Sequence, residues 1–130
     1  MRIGIPKEIK VHEYRVGMTP SAVREAVHDG HQVVVQSGAG AGIACDDASY
    51  QQAGARVLPD AAAVFEAAEM IVKVKEPQPH ECAMLRKGQV LFTYLHLAPD
   101  PEQCRELLAS GAVCIAYETV TDRSGGLPLL

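Results

Sequence analysis

The chain has 130 residues, of which 48% are hydrophobic and 22% charged, and carries a formal net charge of −4. That is the composition of one ordinary soluble domain large enough for its own core, and it excludes a disordered chain. Twelve basic residues set among sixteen acidic ones form no tract, so nothing here attracts nucleic acid or an anionic membrane in general, and any anion site must be local.

The amino terminus, MRIGIPKEIK, lacks the apolar stretch of a secretory leader. No later run approaches the ~20 apolar residues of a membrane span, and the expected location is cytoplasmic. Arg2 to Ile5 reads as a short apolar strand closed by Pro6, followed by a charge-rich loop, Lys7 to Gly17, that contains Glu13-Tyr14-Arg15. Thr19 then offers an N-cap with Pro20 at the first helical position, and Val23, Ala26 and Val27 repeat at helical spacing until Gly30. His31 to Gln36 supplies a second strand, and SGAGAG, Ser37 to Gly42, turns the chain. Asp46-Asp47 opens a short helix ending at Gly54, Ala55 to Leu58 is a brief strand, and Asp60 caps an alanine-rich helix through Ala68.

The next two apolar runs, Met70 to Val74 and Gln89 to Leu95, are short and rich in β-branched or aromatic residues, as buried strands are. They are expected to be parallel neighbours joined through a helical turn at Glu81 to Leu85. Asp100 caps a further helix with Pro101 at its first position, in which Cys104, Leu107 and Leu108 face inward and which Gly111 ends. Ala112 to Tyr117 is the last strand. Strands apolar on both faces that alternate with helices predict an α/β fold, a mainly parallel sheet with helices on both faces, built as one domain over residues 1–130. Gly125 to Leu130 ends on an apolar run without a polar tail, the pattern of a chain cut short.

In a parallel sheet every strand-to-helix loop lies on one edge, where open α/β folds hold their ligands. That edge collects Arg15 from the first loop, Lys75 and His96 from the two middle strands, and Glu118 after the last. A guanidinium grips a carboxylate through two parallel hydrogen bonds, an ammonium polarises a carbonyl oxygen, and an imidazole moves a proton near neutral pH. Together they suit a small anion bearing a carbonyl. Taken singly, Lys75 also reads as a solvated neighbour of Glu76, His96 as a strand-closing residue bonded to backbone, Arg15 as a surface arginine, and Glu118 as a support. The run Gly38 to Gly42 lacks the third glycine of a dinucleotide fingerprint and is not followed at once by an apolar helix, so it is read as a flexible turn. The four cysteines, Cys45, Cys82, Cys104 and Cys114, include no CxxC pair and no zinc-like spacing with histidine; reduced, mostly buried thiols and no metal site are expected.

RIGIPKE near the start, EYRVGMTP at Glu13, SGAGAG at Ser37, KVKEP at Lys73, LFTYLHLA at Leu91 and IAYETV at Ile115 together resemble the amino-terminal domain of alanine dehydrogenases. The resemblance covers essentially the whole chain and implies a Rossmann-like or flavodoxin-like amino-terminal domain, cut before the domain that binds NAD. It implies that Arg15 binds the substrate carboxylate, that Lys75 binds and polarises the keto or imino group, that His96 is the general acid/base, and that Tyr94 lines the pocket. The reaction it implies is reversible NAD-dependent conversion of L-alanine to pyruvate and ammonia, in a homohexamer when full length. Because half of that apparatus lies elsewhere, the 130 residues alone are expected to be inactive. Two competing readings are the α-subunit of a nicotinamide nucleotide transhydrogenase, which lacks the KVKEP and YLHLA features, and a stand-alone keto-acid-binding or assembly module.

Overall fold

A computed structural model describes all of residues 1–130. Six strands, β1 (Arg2–Ile5), β2 (Gln32–Gln36), β3 (Arg56–Leu58), β4 (Met70–Val72), β5 (Val90–Thr93) and β6 (Val113–Ala116), alternate with five helices. The helices are α1 (Pro20–His28), α2 (Asp47–Gln52), α3 (Ala61–Ala67), α4 (Pro79–Cys82) and α5 (Pro101–Ser110). All strands are parallel, in the order β3-β2-β1-β4-β5-β6. The chain thus winds outward from β1 in one direction, then crosses back to β4 and winds in the other, which leaves a crevice at the carboxyl ends of β1 and β4.

Local chemistry explains where the helices begin. The side chains of Thr19, Asp46, Asp60 and Asp100 accept hydrogen bonds from the backbone N–H groups of Ala22, Ser49, Ala63 and Gln103, each closing an otherwise open helix start. Gly111, in the left-handed conformation at φ 68°, ends α5.

Strand alternation then builds two cores. Ile3, Ile5, Val33, Val35 and Val72 pack with Val23 of α1 and Tyr50 of α2 on one face. Val34, Ile71 and Leu91 pack with Val64 and Phe65 of α3, Cys82 of α4 and Leu107 of α5 on the other. Helices therefore cover both faces, as expected. The covering is uneven: Val113 and Ile115 on β6 are 52% and 40% exposed. Their register partners Val90 and Phe92 are only half buried, on the face that α1 and α2 cover farther along the sheet.

Three expectations need correction. Leu108 does not face inward but is 76% exposed. The helix is turned so that buried Gln103 can donate from Nε2 to the Leu95 carbonyl at 3.1 Å, and satisfying that polar group carries Leu108 outward. The β4–β5 connection becomes helical at Pro79 and its helix ends at Cys82, earlier than Glu81 to Leu85, because Pro79 suits the first helical position and Glu81 reaches back to the Gln78 N–H at 2.8 Å. Of the cysteines only Cys82 is buried; the other three are half buried, and none is paired.

Candidate functional site

The carboxyl edge begins with the loop after β1. Arg15 Nε and Nη2 donate to the two carboxylate oxygens of Glu13 at 2.9 and 2.7 Å, and the Arg15 backbone N–H donates to the same carboxylate. The Arg15 hydrogen bonds hold the Glu13 carboxyl down at about 2 against partial burial, with the charge of Lys75 adding to the effect. Glu13 is thus ionised at any working pH and fixes the guanidinium, while 61% of the Arg15 side chain stays exposed.

Two glycines set the height of this loop. A Cβ on Gly17 would stand 2.4 Å from the Val72 carbonyl oxygen at the end of β4, and one on Gly42 would stand 2.1 Å from the Tyr14 carbonyl oxygen. The glycine run after β2 therefore packs directly under the Arg15 loop. Gly42→Ala is expected to push Tyr14 and Arg15 out of place; should Arg15 hold a substrate's carboxylate, the KM for that substrate would rise by about tenfold or more. Steady-state kinetics checks this, and an unchanged KM would show that Gly42 does not set Arg15.

The same geometry answers the dinucleotide question. Ala41 to Ile43 is a three-residue 3-10 turn rather than the start of a helix, and Asp47 already accepts from Ser37 Oγ and Gly38 N–H at 2.6 and 2.8 Å. Gly40 is closed in by Cys45 and Tyr50, and Gly42 by Tyr14. A pyrophosphate does not fit here.

Beyond the last residues of β4 and β5 two more backbone bonds, Lys73 N–H to the Phe92 carbonyl at 3.1 Å and Tyr94 N–H to the Val74 carbonyl at 3.3 Å, continue the ladder, and side chains pin the chain beside them. Lys73, 1% exposed, donates from Nζ to Glu81 at 2.9 Å and Glu8 at 3.2 Å. Glu8 also accepts from the Val74 N–H at 2.7 Å, and Thr93 Oγ1 donates to the Lys75 carbonyl at 2.9 Å. Lys75 is half buried and follows directly from this anchored stretch. Directly after β5, Tyr94 is half buried and stacks on the exposed His96 with ring centres 5.9 Å apart. His96 has a left-handed backbone at φ 46°, uncommon for a residue with a side chain.

A hollow of about 400 Å³ opens on this edge, lined by Arg15, Val16, Thr19, Phe92, Tyr94 and Tyr117 among others. On the other side of the loop, Arg15 also borders a more polar hollow of about 430 Å³ with Glu8, His12 and Glu13. Arg15 and Tyr94 thus share a cavity. Lys75 and His96 stand on the same edge of the sheet but line neither hollow. No group of three His, Cys, Asp or Glu side chains is placed to hold a metal ion.

Residues 4–130 match the family described as "Alanine dehydrogenase/PNT, N-terminal domain". The chain belongs to this family. It is 57% identical to an alanine dehydrogenase of Halomonas elongata and 51% to one of Mycolicibacterium smegmatis, in each case over the whole of this chain and 35% of the relative. Among solved structures it resembles an L-alanine dehydrogenase at a TM-score of 0.94 and 49% identity, over 98% of this chain and 35% of that one. A transhydrogenase from Sinorhizobium meliloti follows at a TM-score of 0.87 and 31% identity, covering 95% and 36%. The chain therefore spans about a third of the length of the relatives it matches.

For a member of the alanine dehydrogenase/PNT family, the supporting residues are what sequence reasoning passed over. Lys73 lies inside a run correctly taken as buried, and a lysine there demands carboxylate partners. That demand was the available signal for Glu8 and Glu81. The Glu13 grip on Arg15 was signalled only by their spacing of two.

Proposed function

We propose that this chain is the substrate-binding part of an NAD-dependent alanine dehydrogenase, which interconverts L-alanine with pyruvate and ammonia. The observation that carries the reading is the assembly, on one edge of an all-parallel sheet, of an arginine fixed by Glu13, a lysine after β4 and a histidine after β5. Identity of 48–57% to proteins named alanine dehydrogenase over this whole chain supports it.

In this reading Arg15 takes the substrate carboxylate in a bidentate grip, its outward side free because Glu13 occupies the other. Lys75 donates to the keto or imino group and draws electron density from the carbon that changes hybridisation. His96, open to solvent, passes protons between water and the carbinolamine formed when the imine is hydrated, and Tyr94 closes the pocket under its ring. Hydride chemistry belongs to NAD, for which the glycine run provides no cradle; we assign its binding to the part of the protein that the relatives have beyond this third. We place the protein in the cytoplasm as a homohexamer, with the keto-acid site in each copy.

The test is direct. Full-length protein should reduce NAD with L-alanine and oxidise NADH with pyruvate plus ammonium, followed at 340 nm, whereas residues 1–130 alone should do neither. Hydride exchange between nicotinamide nucleotides without any requirement for alanine would instead favour the transhydrogenase reading.

A further inference from the structure

We propose that Glu118 is a positioning residue for His96: its carboxylate holds the peptide that carries the imidazole, a role that rests on the reading of His96 as the proton-transfer group. The β5–β6 ladder ends at the pair Thr93 and Ala116, so the N–H groups of Leu95 and His96 have no strand partner. Glu118 supplies one. Its Oε1 accepts from the Leu95 N–H at 3.0 Å and the His96 N–H at 2.8 Å, with Oε2 at 3.3 Å from the Leu95 N–H.

Two features show that this contact does more than cap a strand. His96 adopts a left-handed backbone, which an L side chain rarely holds unless its surroundings enforce it. The ring itself makes no anchoring bond and only stacks on Tyr94, so its placement depends on the backbone beneath it. Burial alone would raise the Glu118 carboxyl, but the backbone N–H groups of His96, of Glu118 itself and of Leu95, with the charge of His96, reverse the direction and lower it. A carboxylate receiving two N–H groups is a charge-assisted clamp.

The neighbouring residue braces the other strand end. Tyr117 OH donates to the Lys73 carbonyl at 2.8 Å, and its ring meets Phe92 and Tyr94 edge-on at 4.3 and 4.9 Å. The short 3-10 turn Tyr117–Thr119 therefore ties the segments leading to Lys75 and His96 to one piece of backbone. Arg15 is held separately, by Glu13.

That separation makes the role measurable in the full-length protein. Glu118→Ala should lower kcat by about 100-fold, as misplacement of a reacting group by an ångström does, while KM for pyruvate stays within about threefold. Glu118→Gln keeps an Oε1 acceptor and should recover kcat to within about fivefold of wild type. Amide hydrogen exchange at residues 95 and 96 should quicken in Glu118→Ala and not in Glu118→Gln. Should Glu118→Ala fail to fold, Glu118→Asp, whose carboxylate is withdrawn by one methylene, takes its place with the same expectation. A kcat per folded molecule that is unchanged in the shortened variants, or a Glu118→Gln variant as slow as Glu118→Ala, overturns the positioning role. If wild-type protein itself fails to turn over alanine, the functional reading fails instead, and the exchange measurement still decides whether Glu118 clamps the peptide.

Discussion

Replacing His96 with asparagine in the full-length protein is expected to lower kcat for alanine deamination by about a thousandfold, within the range a positioned acid/base contributes. Asparagine is the right substitution because the backbone here is left-handed at φ 46°, a conformation it tolerates better than most residues. The side chain at 96 is exposed and its ring makes only a stacking contact, so the melting temperature should barely move. Loss of rate without loss of fold is the signature of chemistry rather than architecture. The measurement is steady-state kinetics in both directions alongside a thermal melt. A variant retaining a tenth or more of the wild-type rate would remove His96 from the mechanism.

Lys73→Met should do the opposite, removing stability first. Glu8 and Glu81 have side chains only 1% exposed, and Lys73 Nζ lies between them with none of its side chain exposed. Deleting the ammonium leaves two buried carboxylates without a counter-charge, and breaking a buried pair in this way costs about 3–5 kcal/mol. Against a typical total of about 5–15 kcal/mol, that removes from about a fifth to all of the stability. The exposed pair Arg105–Glu102 on α5 provides the contrast. Arg105→Ala should be nearly neutral, because solvent screens both partners. Urea unfolding of both variants compares them, and a Lys73→Met midpoint equal to wild type would show that the buried cluster carries no such demand.

How far the sequence could be read depended on whether a feature was local. Helix starts at Thr19, Asp46, Asp60 and Asp100 were legible because each cap needs only its own next three residues. The alternation of strands with helices was legible for the same reason, and parallel orientation followed from the helices between strands. The strand ends after Val72 and Thr93 were less legible. What takes over the backbone groups there is not a turn residue but side chains from elsewhere, Glu8 for the Val74 N–H and Tyr117 for the Lys73 carbonyl after Val72, and Glu118 for the Leu95 N–H after Thr93. Leu108 was misplaced because periodicity alone cannot show that Gln103 claims the inward position. At the candidate site, Arg15, Lys75 and His96 were nominated by residue type, and the parallel sheet puts all three on its carboxyl edge. Of their supports, Glu118 was read from its edge position as a support, whereas Glu8 was passed over, since a carboxylate that accepts a backbone N–H 66 residues away leaves no pattern along the chain, and Glu13 was signalled only by its spacing of two from Arg15. The glycine run was rightly read as a turn, but its packing under Tyr14 required the folded structure.

In the proposed function, one mouth of the sheet holds a two-carbonyl acid between Arg15, Lys75 and His96. Determining the structure of the full-length protein with pyruvate bound tests it most directly. The pyruvate carboxylate is then expected against the Arg15 guanidinium, with its keto oxygen within hydrogen-bond distance, about 2.7–3.2 Å, of Lys75 Nζ and the His96 ring. Pyruvate seated elsewhere, or held with Lys75 and His96 turned away from it, would overturn those three roles.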